Sequence, residues 1–183
     1  MPQPVDTEIP TNGLTPATDA ERADLLATLD KHRSFLRFTV RDLTDEQAAQ
    51  RTTVSQLCLG GLIKHVYEVE QRWVDFIERG PSVMRGADQA AMDAHARSFQ
   101  MEDGERLENL LDRYQETAAR TDELVRTLPS LDISHPLPDA PWFPPNTSWS
   151  ARRVLLHIIA ETSQHAGHAD ILREAIDGQK TMG

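Results

Sequence analysis

Four stretches of this chain repeat large apolar residues every three or four positions, and no stretch of similar length alternates them. The first runs through Leu25, Leu29, Leu36, Val40 and Leu43, the second through Leu62, Val66, Val69, Trp73 and Ile77. Leu107, Leu110, Leu111, Tyr114, Leu124, Val125 and Leu128 form the third, and Val154, Ile158, Leu172 and Ile176 the fourth. Such spacing collects apolar groups on one side of an α-helix. Four helices of this kind hide their stripes by packing on one another, so the predicted fold is all-α, a four-helix bundle.

Punctuation residues set the limits of each helix. TDAE at Thr18–Glu21 reads as a capping box, in which Thr accepts from a first-turn amide and Glu reaches back. It predicts a first helix over about residues 19–42. TVSQ at Thr53–Gln56 reads as a second capping box ahead of the second helix, which Gly80–Pro81 stops. Pro129 ends the third helix; Thr147 or Ser148 caps the fourth, which runs to about Asp177 before Gly178. Residues 80–102 form a polar connection with a short helix. HPLPDAPWFPPNTSW holds five prolines in fifteen residues, and proline has no amide to donate, so this second long connection is non-helical. Residues 1–17 read as an N-terminal arm, and 18–183 as the bundle.

Composition removes several function classes. The chain carries 29 acidic and 19 basic residues, a net charge of −10. No basic cluster stands out beyond Arg152–Arg153, which argues against a nucleic-acid partner. The apolar runs are too short to cross a bilayer, and MPQPVDTEIPTNG lacks the positive start and apolar centre of a signal peptide, so the expected compartment is cytoplasmic. Cys58 is the one cysteine; it excludes an internal disulfide and reads as a buried, inert thiol.

One segment resists the simple helical reading. In AETSQHAGHADIL, residues 160–172, Glu161 and His165 fall on the side that Val154 and Leu172 also occupy. Positions four apart differ by only about 40° around a helix, so the two are neighbours on one inward face. An unpaired carboxylate buried there costs several kcal/mol, and a metal ion removes that cost by supplying positive charge. A third ligand should come from another helix. His65, in GGLIKHVYEVE, lies between Leu62 and Val69, one turn after Gly60 and Gly61, whose missing side chains permit close approach.

Taken singly, His65 reads first as a hydrogen-bonded core residue, and Glu161 as a partner for Arg153, Arg173 or Lys64. The combination points to a divalent metal. Two imidazoles and a carboxylate suit catalytic zinc, which keeps a position open, and also nickel, iron or manganese. His168 lies roughly 20° from Glu161 and nearly two turns away; it reads as a group touching substrate or supporting the ligands, with a fourth ligand as the alternative. His32 reads as a core histidine and His157 as a packing residue, whereas His95 and His135 are placed in loops.

GGLIKHVYEVEQRW and SWSARRVLLHIIAETSQHAGHADILREAIDG together resemble the DinB superfamily of metal-binding four-helix bundles, over most of residues 20–178. The likeness is strongest to its actinobacterial branch of mycothiol-dependent enzymes. Many members carry a histidine on the second helix and H-x-x-x-H near the last; the maleylpyruvate isomerase type has E-x-x-x-H. The matching positions here are His65, Glu161 and His165. Where many relatives read H-R-G-Q, this chain reads HAGH, so His168 replaces a glutamine.

The resemblance implies mycothiol as a thiol cosubstrate, a small electrophile as its partner, and a homodimer. A metal open at one position would lower a thiol's pKa and favour its thiolate, so no protein nucleophile is needed; the chain offers no convincing Ser/His/Asp or Cys/His set. The expected activity is a metal-dependent thiol S-transferase. The alternatives are a hydrolase using metal-activated water, with Glu68, Glu70 or His168 as proton carriers, and a non-catalytic, metal-stabilised stress-response bundle. Trp142, Phe143 and Trp149 serve either as a wall of the active cavity, opposite Met84 and Met92, or as anchors for their loop.

Overall fold

The structure is a computed structural model that describes residues 18–84 and 88–181; the arm expected over 1–17 lies outside the described residues. Its helices are α1 (Asp19–Phe38), α2 (Asp45–Ala49), α3 (Leu59–Arg79), α4 (Gln89–Ser98), α5 (Leu107–Thr127) and α6 (Ala151–Asp177). The four long ones form the bundle. Helix α3 packs against α5 and α6, and α1 packs against α6 and α5. This is the all-α architecture that the four apolar stripes predict.

Local signals explain most boundaries. Thr18 accepts from the Glu21 amide at 3.1 Å, and the Glu21 carboxylate is engaged by Arg152 of α6. Helix α1 ends at Phe38, four residues before the expected limit, and Asp42 takes a positive φ of 59° in the turn that follows. The next capping box is TDEQ: Thr44 and Gln47 cap α2 reciprocally. Asp45, at the start of α2, accepts from the Leu107 amide at 2.8 Å and so caps α5.

TVSQ is not a helix start. Its hydroxyls form short local turns, Ser55 donating its amide to Thr53 and Leu57 to Ser55, and α3 begins three residues beyond Gln56, behind an N-cap supplied by Cys58. Cys58 is buried, with its sulfur accepting from the Gly61 amide.

The proline-rich crossover contains a feature absent from the apolar pattern. Strands β1 (Ser134–Pro136) and β2 (Ser148–Ser150) pair antiparallel, with His135 opposite Trp149. Ser150, rather than Thr147 or Ser148, caps α6. The carbonyls of Ile133 and Leu131 accept from the Ala151 and Arg152 amides at 2.8 and 2.9 Å, so the ribbon satisfies donors that every helix start leaves open. His135 sits in this ribbon, its Nε2 3.0 Å from the Ile77 carbonyl.

The core falls into two apolar clusters. One gathers Leu25, Leu29, Trp73, Ile77, Val125, Val154 and Ile158; the other gathers Leu36, Leu62, Val66, Leu110, Tyr114, Ala169 and Leu172. Each long helix contributes to both, and on each a buried polar residue lies between its two contributions: Arg33 on α1, Glu70 on α3, Thr121 on α5, Thr162 and His165 on α6. Within this layer Arg33 donates to both Glu70 oxygens, at 2.5 and 3.3 Å, and to Asp122 at 2.8 Å, and Thr121 donates to Glu70 at 2.5 Å. Arg33 occupies the inward position on α1, and His32 is turned partly outward against Phe35.

Candidate metal centre

Helices α3 and α6 bring His65, Glu161 and His165 together. Among the described residues their donor atoms lie within 4.8 Å of one another and can hold a metal ion. His165 Nε2 is 3.6 Å from Glu161 Oε2. With bonds of 2.0–2.2 Å, two donors of a tetrahedral ion stand roughly 3.4 Å apart, so this pair needs little adjustment. None of the alternative partners for Glu161 engages it. Arg173 is bound to Asp177 and to the Thr39 and Arg41 carbonyls, Lys64 pairs with Glu105, and Arg153 lies over the Trp149 ring.

The tautomer of His65 follows from its neighbours. Ser98 Oγ donates its single proton to the His95 carbonyl at 2.6 Å, and His65 Nδ1 lies 2.8 Å from that same oxygen. The hydroxyl has no second proton to offer, so Nδ1 carries the hydrogen and Nε2 keeps its lone pair. Burial, reinforced by His165 and His95, pushes the pKa of His65 down to about 3, which keeps the ring neutral at physiological pH. The ring also stacks on Phe99 at 3.9 Å. Gly61 makes that stacking possible, since a Cβ there would lie 1.9 Å from the Phe99 carbonyl oxygen; a Cβ on Gly60 would lie 2.2 Å from Met101 Sδ.

On α6, His157, Glu161 and His165 follow one another at four-residue intervals. His157 Nε2 is 3.8 Å from Glu161 Oε1, so each carboxylate oxygen faces a different imidazole. The His165 imidazole lowers the Glu161 pKa against the opposing effect of burial, with help from His157; burial lowers that of His157. His168 Nδ1 stands 3.4 Å from His165 Nδ1, on the side of that ring away from Glu161.

A cavity of about 640 Å³ opens beside the trio. His65, His157 and Glu161 line it, with Trp73, Met84, Met92, Trp142 and Phe143 among its apolar walls. Trp142 and Phe143 therefore act as wall and Met84 and Met92 share the cavity, whereas Trp149 anchors its loop by stacking on Trp73 at 4.8 Å. His95 is a helical residue of α4, edge-on to His65 and part of the same lining. The periodic pattern gave no reason to expect His95 or Ser98 here, because α4 adds nothing to either apolar cluster. His157 carried a signal, its four-residue spacing from Glu161.

Glu70 cannot serve as a proton carrier at this site, being fully buried against Arg33 and Thr121. Glu68 lines a separate polar depression with Tyr67 and Arg113.

No curated protein matches the chain. Its fold is shared by the crystal structure of a conserved protein from Enterococcus faecalis, with a TM-score of 0.63, 15% identity and coverage of 86% of this chain and 97% of that one. Among the described residues no helix is long and apolar enough to cross a membrane. The sequence pattern of the mycothiol S-transferases, a DinB-like group, matches residues 24–178. This chain belongs to the mycothiol S-transferase family.

Proposed function

We propose that the protein transfers the thiol of mycothiol to small electrophiles with the help of a divalent metal held by His65, Glu161 and His165. The observation that carries this reading is the convergence of those three donors, within 4.8 Å, at the edge of a cavity large enough for a small molecule. The donor set fits a metal: one carboxylate, one imidazole whose neutral Nε2 lone pair is set by Ser98, and a second imidazole beside the carboxylate. Zinc suits this mixture best, and nickel, iron or manganese accept the same ligands.

A bound cation supplies the positive charge that lowers the pKa of an approaching thiol, so that sulfur attacks as thiolate near neutral pH. The chain's own groups do the rest. Glu161 provides one negative charge and presents Oε2 on the His165 side, while His157 faces Oε1 and steadies the carboxylate. His168 Nδ1 lies 3.4 Å from His165 Nδ1 and can accept its proton, which would leave the His165 Nε2 lone pair for the metal. His168 is absent from the cavity lining, which favours this supporting role over contact with substrate. The apolar walls limit water around the nucleophile and protect it from hydration. A site opening onto a cavity favours catalysis over a purely structural metal, which would be closed on all sides.

Elemental analysis of untagged protein, paired with conjugation of mycothiol to a reactive halide or epoxide, tests this reading. Near-stoichiometric divalent metal is expected, with conjugation abolished by chelator and restored by metal. His165→Ala should lose the ion and lower kcat/KM by more than roughly 100-fold, beyond the effect of losing an outer partner. Full activity in metal-free protein would overturn the proposal.

A further inference from the structure

The cavity lining combines two kinds of group. His65, Arg72, His95, His157 and Glu161 are ionisable, whereas Trp73, Met84, Met92, Trp142 and Phe143 are apolar. Two of the apolar residues leave much of their surface in water: Trp142 is 57% exposed and Met92 49%. They come from different parts of the chain, Trp142 from the proline-rich crossover and Met92 from α4, yet they line one space. Large apolar groups that remain exposed at the walls of a concave site mark a surface that a ligand covers.

The aromatic groups of the lining are ordered by one another. Trp73 is held by stacking on Trp149, with Phe143 edge-on to both, and Phe143 in turn meets Trp142 edge-on at 6.2 Å. Ring faces and edges fixed in this way accept a further aromatic ring in stacked or edge-on geometry. Methionine sulfur and its flexible stem adapt to the outline of such a ring, and Met84 and Met92 supply both. A strongly polar electrophile gains little from this surface, whereas a planar, uncharged one gains both area and ring contact.

Accepting the transferase reading of the site, we infer that the apolar lining residues form the electrophile subsite and that it selects flat, hydrophobic, aromatic electrophiles, with Trp142 and Met92 setting that selectivity. With an aryl halide the sulfur forms a bond to the ring carbon and the carbon–halogen bond breaks. Halide leaves with the bonding pair, and the thiol proton passes to solvent.

Selectivity is read as the ratio of kcat/KM for 1-chloro-2,4-dinitrobenzene to that for iodoacetamide, both with mycothiol and metal-loaded enzyme. Trp142→Ala and Met92→Ala change exposed side chains and should each lower the ratio, the former roughly tenfold, chiefly through KM for the aryl halide. An unchanged ratio in both variants overturns the inference. Should neither electrophile be conjugated, the decision passes to binding of the neutral fluorophore N-phenyl-1-naphthylamine by chelator-treated protein. Binding weakened by Trp142→Ala then supports the subsite while the transferase reading falls; no binding, or binding indifferent to the substitution, removes the subsite as well.

Discussion

A candidate metal ligand is only as well defined as the group behind it, and behind His65 stands a serine. Ser98 Oγ spends its proton on the His95 carbonyl and therefore accepts from His65 Nδ1. Replacing Ser98 with alanine leaves the His65 N–H without its acceptor in a buried position and lets the ring adopt either tautomer. The affinity for zinc, measured by competition with a chromogenic chelator, should fall about 10–100-fold, and Ser98→Thr, which keeps the hydroxyl, should recover most of it. Equal affinity in wild type and Ser98→Ala would mean that the hydroxyl does not orient the ligand. Nothing in the sequence marked Ser98, because its role depends on where α4 ends relative to α3, a matter of tertiary placement. Glu161 and His165 were legible because their i, i+4 spacing alone puts them on one face, and His65 because it interrupts an apolar stripe. Arg33 was illegible for the opposite reason. A long charged residue between Leu29 and Leu36 reads as solvated until its partner Glu70, on another helix, is known.

At the level of the elements, the glycines of α3 decide how closely the segment after α4 approaches. A methyl group at Gly61 would meet backbone, the Phe99 carbonyl oxygen at 1.9 Å and its carbon at 2.1 Å, and backbone cannot rotate aside as a side-chain end can. Gly61→Ala should therefore lose about 1–3 kcal/mol through overpacking, set against about 1 kcal/mol of improved helix propensity, and should also move Phe99 off the His65 ring. Gly167 of α6 provides the contrast, since a methyl group there meets nothing within 4 Å; Gly167→Ala should stabilise by about 0.4–1 kcal/mol. Urea unfolding of the two variants separates the cases, and a Gly61→Ala protein as stable as Gly167→Ala would contradict the packing argument. The long helices themselves were readable from periodicity. The errors fell where short polar motifs compete: TVSQ resembles a capping box but forms local hydroxyl turns, while TDEQ, with the same chemistry, caps a helix of only five residues. A paired ribbon inside a proline-rich crossover was illegible for a related reason, since three-residue strands carry no periodic signal.

Across the whole molecule, the polar layer between the two apolar clusters ties α1, α3 and α5 together. Arg33 is 4% exposed and Glu70 fully buried, so each depends on the other for its charge. Attraction to Glu70 and Asp122 raises the Arg33 pKa despite the opposing effect of burial, and the guanidinium stays charged. Glu70→Ala would leave it with Asp122 alone, which is partly exposed, and removing one partner of a buried pair typically costs about 3–5 kcal/mol. The same physics predicts that Arg33→Met with Glu70→Leu is far less damaging than Glu70→Ala alone, because no charge is then stranded and the two apolar clusters merge. Chemical unfolding of the single and double variants in the presence of chelator measures this without any contribution from metal. If the double variant proved as unstable as the single one, the layer would owe its stability to the shape and hydrogen bonds of these two side chains. A double variant near wild-type stability would instead show that the bundle does not need the pair in order to fold, and metal affinity measured on that same variant would reveal whether the layer is retained for the alignment of α3 against α6 on which His65, Glu161 and His165 depend.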